Sequence, residues 1–142
     1  MTKATLLATL ALLSGCAAME PQPQRACFHQ NEALETDVGY CAALRSGNTL
    51  HVSGLVGQGN MDSAVRSVYE RLGKVLKANG LTFANVVKET VFATDLDAFI
   101  RNKEIRKEYD GRTLPAATWV QVQRLYLPSF VVEIEVTAEY PK

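Results

Sequence analysis

Two glutamates near the C-terminus, Glu133 and Glu135, have the spacing of side chains that share one face of a β-strand. Apolar and polar residues alternate throughout residues 131–137, which is typical of a half-buried strand. The intervening apolar residues would face the core, so the carboxylates are predicted to meet solvent, a partner chain or a ligand. Such a carboxylate can position and deprotonate a water molecule if burial raises its pKa toward the working pH.

A second β-rich run precedes this strand, and together they form residues 114–140, LPAATWVQVQRLYLPSFVVEIEVTAEY. This stretch resembles the C-terminal signature of the Rid family, the YjgF-like enamine and imine deaminases. The shared features are proline and alanine, a short strand ending in Val-x-Val, a reverse turn with proline, and then VEIEV. The resemblance implies an α/β chorismate-mutase-like fold, a mixed sheet with two helices on one face. It also implies a homotrimer that binds small molecules in clefts between its subunits.

Four positions match the family's site residues, each through its own local sequence. Tyr40 follows a glycine as the family's cleft tyrosine does, and Ser53 lies in a Ser-Gly pair whose backbone and hydroxyl face the ligand in the family. Glu133 matches the glutamate thought to position the attacking water. Asn102 lies one residue from the place of the family's cleft asparagine, which Lys103 occupies in an ungapped match. The resemblance therefore implies Tyr40, Ser53 and Glu133 as catalytic residues and Asn102 as a ligand-binding residue.

The substrate anchor departs from the family pattern. The family usually reads Pro-Ala-Arg-Ser, and its arginine clamps the substrate carboxylate, whereas this chain has Ala117 at that place. A desolvated, charge-assisted contact of this kind contributes about 2 to 5 kcal/mol. Arg112 or Arg124 could replace the clamp, or each could be a solvated arginine near a strand end. Trp119 offers apolar surface to an aromatic or neutral ligand, or else is buried at a subunit interface.

Two classes of function remain open. The chain could be a hydrolase of imines or related compounds that works without a carboxylate clamp, or a non-catalytic trimer that binds small molecules or proteins. No glycine-rich phosphate loop and no Gly-x-Ser-x-Gly motif occur in the sequence, and no cofactor is predicted. The enzyme hypothesis rests on the family resemblance.

Length and composition fit one ordinary domain. The chain has 142 residues, 47% of them hydrophobic and 21% charged, with 15 basic and 15 acidic side chains. This balance is typical of a globular domain with a sizeable core. Because no stripe of lysine and arginine stands out, nucleic acid is not predicted as a partner.

The N-terminal residues have the pattern of a secretory signal. A lysine precedes a short apolar run and small residues, and Leu-Ser-Gly-Cys ending at Cys16 resembles a bacterial lipobox. We predict a lipoprotein signal over residues 1–15, acylation of Cys16, a flexible tether over residues 16–26 and a folded domain over residues 27–142. Ala17 is not the aspartate that retains such proteins in the inner membrane, so a periplasm-facing anchor in the outer membrane is expected. An ordinary cleaved signal is the alternative.

The domain pattern predicts a strand at 26–29, a loop at 30–38 and a hairpin within 40–57. A helix over 61–79, a strand at 88–94, a helix from 96 to about 109 and the two final strands follow. Cys27 and Cys41 would lie on neighbouring strands, either bridged or as two separate buried thiols. These cysteines, His29 and His51 lack zinc-site spacing, so no metal site is predicted.

Overall fold

The computed structural model describes residues 25–111 and 113–142, and these residues form one α/β unit. The predicted signal, most of the tether, Cys16 and Arg112 lie outside the described residues. In the described part, the strands are β1 (Arg25–Phe28), β2 (Ala43–Ser46), β3 (Thr49–Gln58), β4 (Val86–Ala93), β5 (Ala116–Gln121) and β6 (Phe130–Glu139). The helices are α1 (Glu32–Val38), α2 (Met61–Ala78), α3 (Leu96–Arg101) and α4 (Glu104–Asp110), with a 3₁₀ turn at Phe83–Asn85.

The six strands form one mixed sheet in the order β1-β2-β3-β6-β4-β5. All neighbouring pairs are antiparallel except β4 and β5, which run parallel. The alternation in β6 is confirmed: Val132, Ile134 and Val136 are buried, while the side chains of Glu133 and Glu135 lie on the opposite face. The mixed α/β sheet predicted from the sequence is therefore present.

Helices α2, α3 and α4 pack on one face of the sheet. Helix α2 begins after Asn60, whose side chain accepts a hydrogen bond from the Ser63 backbone N–H, and it is followed by Gly80 at φ 74°. Its predicted apolar stripe is fully buried, and each such side chain contributes roughly 1.5 to 3 kcal/mol by burial. The stripe consists of Val65, Val68, Tyr69, Leu72, Val75 and Leu76.

The helices differ from the sequence prediction in two places. Residues 32–38, predicted as loop, form α1, because Asn31 caps the start and Gly39 ends the helix at φ 92°. The predicted helix 96–109 breaks at Asn102 and Lys103 into α3 and α4, and the Asn102 side chain donates to the Ala98 carbonyl at 2.9 Å. Three helices rather than two thus cover the sheet.

The cysteine question resolves in favour of a bridge. Cys27 of β1 and Cys41, which precedes β2, form a disulfide with a Cα–Cα distance of 5.6 Å. The bridge joins the edge strand to the segment that carries Tyr40. None of the helices in the described residues has the length and apolar character needed to cross a membrane.

Candidate functional site

A β-bulge in β3 forms the centre of the candidate site. Val52 pairs with Val136 and Leu55 with Ile134, so Ser53 and Gly54 together stand opposite Glu135. Bulges of this kind redirect side chains and are frequent beside active sites. The Ser53 hydroxyl donates to the Cys41 carbonyl at 2.7 Å, and this bond ties the bulge to the segment next to Tyr40.

The carboxylate of Glu133 lies directly over the bulge. A Cβ added to Gly54 would stand 2.0 Å from Glu133 Oε1, so only glycine leaves room for the carboxylate there. Burial raises the pKa of Glu133 above its usual value, and the neighbouring Glu135 carboxylate raises it further. A carboxylate whose pKa is raised in this way is a stronger general base than an exposed glutamate.

Tyr40 lies at the junction of two concave surfaces that share Tyr40 and Ser53. Burial raises the pKa of the Tyr40 phenol, and the nearby Glu35 carboxylate adds to this effect. The phenol therefore stays protonated at neutral pH and can donate a hydrogen bond to developing negative charge. Tyr40 and Ser53 line both surfaces, and Glu133 adjoins them through its close approach to Gly54, which lines the apolar groove.

The first concave surface, the apolar groove, has a volume of about 610 Å³. Side chains from α1, β3 and the segment before β6 form its walls, and none of these described lining residues is charged. Several are well exposed, including Leu34 at 54% and Tyr126 at 74%. The lining consists of Leu34, Val38, Tyr40, Ser53, Gly54, Val56, Tyr126, Leu127 and Phe130.

The second surface, the polar pocket, has a volume of about 400 Å³. Besides Tyr40 and Ser53 it is lined by Arg25, His51 and Glu135. Arg25 is a cation that the sequence analysis did not single out, because only the pairing of β1 with β2 brings it beside the site. Glu135 lines the same pocket and offsets its charge.

Ala117 and Trp119 do not join this site within one chain. Trp119 packs on the helix-covered side, edge-on to Phe99 at 5.1 Å between ring centroids, and the Arg106 guanidinium lies 5.0 Å from its ring. Strand alternation places Ala117 on the same side as Trp119, two strands away from Glu133. Neither residue lines the apolar groove or the polar pocket described above.

The remaining predicted ligand-binding residues are also apart from the site. The Asn102 amide is used in capping α3. Arg124 is exposed, and its Nε donates to the Leu125 carbonyl at 3.2 Å. Neither side chain lines the apolar groove or the polar pocket, and Arg112 lies outside the described residues.

A second polar cluster, unmarked in the sequence, lies beside the disulfide. The buried carboxylate of Glu35 accepts hydrogen bonds from the backbone N–H groups of Gln30, Asn31 and Ala42, and it lies 2.7 Å from His29 Nδ1. Burial by itself would raise the pKa of Glu35, but these hydrogen bonds outweigh it and the pKa is lowered. The other ring nitrogen, His29 Nε2, lies 3.0 Å from Cys27 Sγ.

A buried polar network lies under the opposite face of the sheet. Glu89 of β4 is 1% exposed, accepts a hydrogen bond from the Tyr69 hydroxyl at 2.5 Å and pairs with Arg106 Nη2 at 2.8 Å. A buried carboxylate needs such partners because leaving it uncompensated is costly. The network joins α2, β4 and α4, so we assign it a structural role.

Comparison with known proteins gives the same family as the sequence pattern. The Endoribonuclease L-PSP family model matches residues 30–140. A RutC family protein of Pyrococcus horikoshii is 31% identical over 108 residues, covering 70% of this chain and 85% of the relative. The 2-iminobutanoate/2-iminopropanoate deaminase of Mus musculus is 36% identical over 108 residues, covering 70% of this chain and 79% of the relative.

Solved structures agree. The crystal structure of a YjgF/YER057c/UK114 family member from Mycobacterium tuberculosis superposes with a TM-score of 0.75 at 29% identity, covering 82% of this chain and 99% of that one. The fold and the matched residues define an α/β protein of YjgF type. The chain therefore belongs to the Endoribonuclease L-PSP family, also called the YjgF, Rid or RutC family.

Proposed function

We propose that this chain is an imine or enamine hydrolase of the deaminase type, acting on substrates that lack a carboxylate anchor. The observation that carries the proposal is the half-buried Glu133 carboxylate, with its raised pKa, over the Ser53–Gly54 bulge beside Tyr40. The similarity to the mouse protein named 2-iminobutanoate/2-iminopropanoate deaminase supports the reaction class.

The proposed chemistry converts an imine and water into a carbonyl compound and ammonia. Glu133 takes a proton from water while the oxygen attacks the imine carbon, and the imine nitrogen takes up a proton from solvent to give a carbinolamine. The Tyr40 hydroxyl donates a hydrogen bond that stabilises charge as the carbon–nitrogen bond breaks. The protonated Glu133 returns its proton to the leaving nitrogen, which departs as ammonia, and the carbinolamine hydroxyl loses its proton to solvent as the carbonyl forms.

The substrate class follows from what lines the site. The apolar groove offers uncharged walls, Ala117 provides no guanidinium, and Glu135 shares the polar pocket with Arg25. A neutral or aromatic imine fits these surroundings better than a 2-imino acid, because a desolvated carboxylate needs a bidentate cation. Imines derived from serine or threonine are expected to be poor substrates.

Installing an arginine at position 117 tests the substrate assignment. Ala117→Arg is expected to raise kcat/KM for serine- or threonine-derived imines by about 30-fold to several thousand-fold, because the new contact contributes about 2 to 5 kcal/mol. Ammonia release measures the effect, and Ala117→Gln supplies similar length without the charge. A wild-type chain already efficient on these imines would show that another cation, Arg25 first, holds the carboxylate.

We also propose that the chain assembles as a homotrimer with its open sheet faces turned inward. The open face carries half-exposed apolar side chains such as Val120, at 37% exposure, without a covering layer in the described residues. Oligomeric assembly, usual in this family, supports the proposal. Because Ala117 is exposed on the edge strand β5, a long side chain at this position would extend past the edge toward the site of a neighbouring copy.

Charge on the open face tests the trimer. Val120→Lys is expected to convert the trimer to monomers, because an unpaired ammonium would be buried between subunits. Light scattering at micromolar concentration measures the mass, and Lys77→Glu on the exposed side of α2 is the matched control. Wild-type protein with the mass of a single chain would contradict the assembly and the cleft between subunits.

We propose that a lipid anchor at Cys16 attaches the chain to a membrane of a bacterial envelope, with the folded domain in the periplasm. The lipobox-like Leu-Ser-Gly-Cys and the proline-containing segment after it support this. Acylated wild-type protein should fractionate with membranes, and Cys16→Ser should release it. Mass spectrometry showing an unmodified mature N-terminus at or beyond Ala17 would contradict the anchor.

A non-catalytic binding trimer is the second candidate, and the apolar groove favours it. Its volume of about 610 Å³ is suitable for a small apolar ligand. Under this alternative, a ligand should remain with the purified protein, and replacing Glu133 should leave its retention unchanged. Mass spectrometry of the denatured complex would identify it.

A further inference from the structure

The cluster at the edge of the sheet contains three side chains that have no role in the proposed imine hydrolysis. Cys27 Sγ, Cys41 Sγ and a ring nitrogen of His29 lie within 4.8 Å of one another. Two thiolates and one imidazole are the ligand set that soft and borderline metals prefer. Sequence spacing argued against a metal site here, but the pairing of β1 with β2 places the three side chains together.

The orientation of His29 supplies a second observation. Both carboxylate oxygens of Glu35 accept hydrogen bonds from backbone N–H groups. The carboxylate therefore also accepts the hydrogen bond that it shares with His29 Nδ1. Nδ1 therefore carries a ring proton, and Nε2 is the ring nitrogen left to serve a metal; it lies 3.0 Å from Cys27 Sγ. Carboxylate, histidine and metal are aligned in this way in many metalloproteins, where the carboxylate fixes the tautomer of the ligand.

We propose that Cys27, Cys41 and His29 form a zinc site whenever the disulfide between the cysteines is reduced, with Glu35 as the positioning residue for His29. A dithiol reductant gives two electrons and two protons to the disulfide and is itself oxidised to a disulfide. Zn²⁺ then displaces one proton from each thiol and takes Nε2 as its third ligand. Water occupies the fourth position, since Cys27 is exposed.

Zinc and the disulfide exclude one another, because the same sulfur atoms serve both. Hydrogen peroxide would take two electrons from the two zinc-bound thiolates and two protons from solvent, giving the disulfide, two water molecules and free Zn²⁺. The disulfide and the zinc site each cross-link β1 to the segment that follows Tyr40. In that segment, the Cys41 carbonyl accepts a hydrogen bond from the Ser53 hydroxyl. The cluster therefore holds one wall of the polar pocket through either cross-link, whether or not the pocket is catalytic.

The test is a Zn²⁺ titration of the full chain carrying Cys16→Ser. The chain has 3 cysteines, so this substitution leaves Cys27 and Cys41 as the remaining two. Under anaerobic reduction, one Zn²⁺ should bind per chain in competition with a chromophoric chelator, and the oxidised protein should bind none. Co²⁺ in place of Zn²⁺ should give thiolate charge-transfer absorption. X-ray absorption should show two sulfur ligands at about 2.3 Å and nitrogen at about 2.0 to 2.1 Å.

Variants distinguish the cluster from adventitious binding. Cys27→Ser and His29→Gln should abolish the one-to-one binding, and Glu35→Gln should weaken it by about 10 to 100-fold. His51→Gln changes the other histidine of the chain and should leave binding intact. Reduced protein that binds no Zn²⁺ overturns the proposal, as does a folded His29→Gln variant that binds as well as its parent.

Discussion

Glu133→Gln is expected to lower kcat for imine hydrolysis by about 10² to 10⁴-fold, the range that a positioned general base contributes. Glutamine keeps the shape over the Gly54 bulge but cannot accept the proton of the attacking water. KM should change little, because the amide still fills the same place. Ammonia release, corrected for uncatalysed hydrolysis, measures the loss.

The pH dependence of kcat provides a second test of the role of Glu133. Because burial and Glu135 raise the pKa of Glu133, wild-type activity should increase with pH through a value above the ordinary 4.5. Glu135→Gln is the matched control: it removes the like charge, so this limb should move to lower pH while activity remains. An unchanged limb in Glu135→Gln, or full activity in Glu133→Gln, would contradict the assignment.

Stability should move in the opposite direction from activity at Glu133. A carboxyl group with a raised folded pKa contributes stability that is fully present below its unfolded pKa and is lost as pH rises through the folded pKa. Above that range the ionised side chain is disfavoured by its surroundings. Glu133→Gln should therefore be at least as stable as wild type at neutral pH, which urea unfolding would measure.

Arg106→Met is expected to destabilise the fold by about 3 to 5 kcal/mol, because it leaves Glu89 buried without its cation. The loss should appear as a lower urea midpoint with an unchanged slope. Arg66→Met, which removes a cation from an exposed pair with Glu108, is the control and should change the midpoint little.

A double variant separates the ion pair from packing. Glu89→Leu combined with Arg106→Met replaces both charges with apolar groups and should recover most of the stability lost in Arg106→Met alone. If the double variant is no more stable than the single one, the loss comes from packing of Arg106 on Trp119 instead of from the unpaired carboxylate.

The regular elements were predictable because their signals are local. The alternation of β6 and the helical stripe of α2 each reflect one buried face, and both predictions are confirmed. Helix α1 was missed because its apolar residues Leu34 and Val38 line a groove and do not pack in the core. Its stability comes from Asn31, Gly39 and the hydrogen bonds of Glu35, which no periodicity reveals.

The site was predictable only where the resemblance supplied a residue. Tyr40 and Ser53 line the same surfaces and Glu133 adjoins them at Gly54, whereas Arg25 and the His29 cluster depend on strand pairing that composition and spacing do not encode. The burial of Glu89 was predictable from the sequence. Glu89, Val91 and Ala93 are spaced two residues apart in β4, so the carboxylate lies on the apolar face of the strand. A buried partner such as Arg106 follows from that placement, although its identity does not.

We propose that this chain hydrolyses imines at the Tyr40, Ser53 and Glu133 site without a carboxylate clamp. The most direct measurement is kcat/KM of the wild-type protein for a neutral aromatic imine and for a serine-derived imine, both generated in the assay and followed by ammonia release. The account predicts saturable hydrolysis above the uncatalysed rate for the neutral imine and little for the serine-derived one. Ammonia release no faster than the uncatalysed rate with either imine, from protein shown to be folded and assembled, would contradict it.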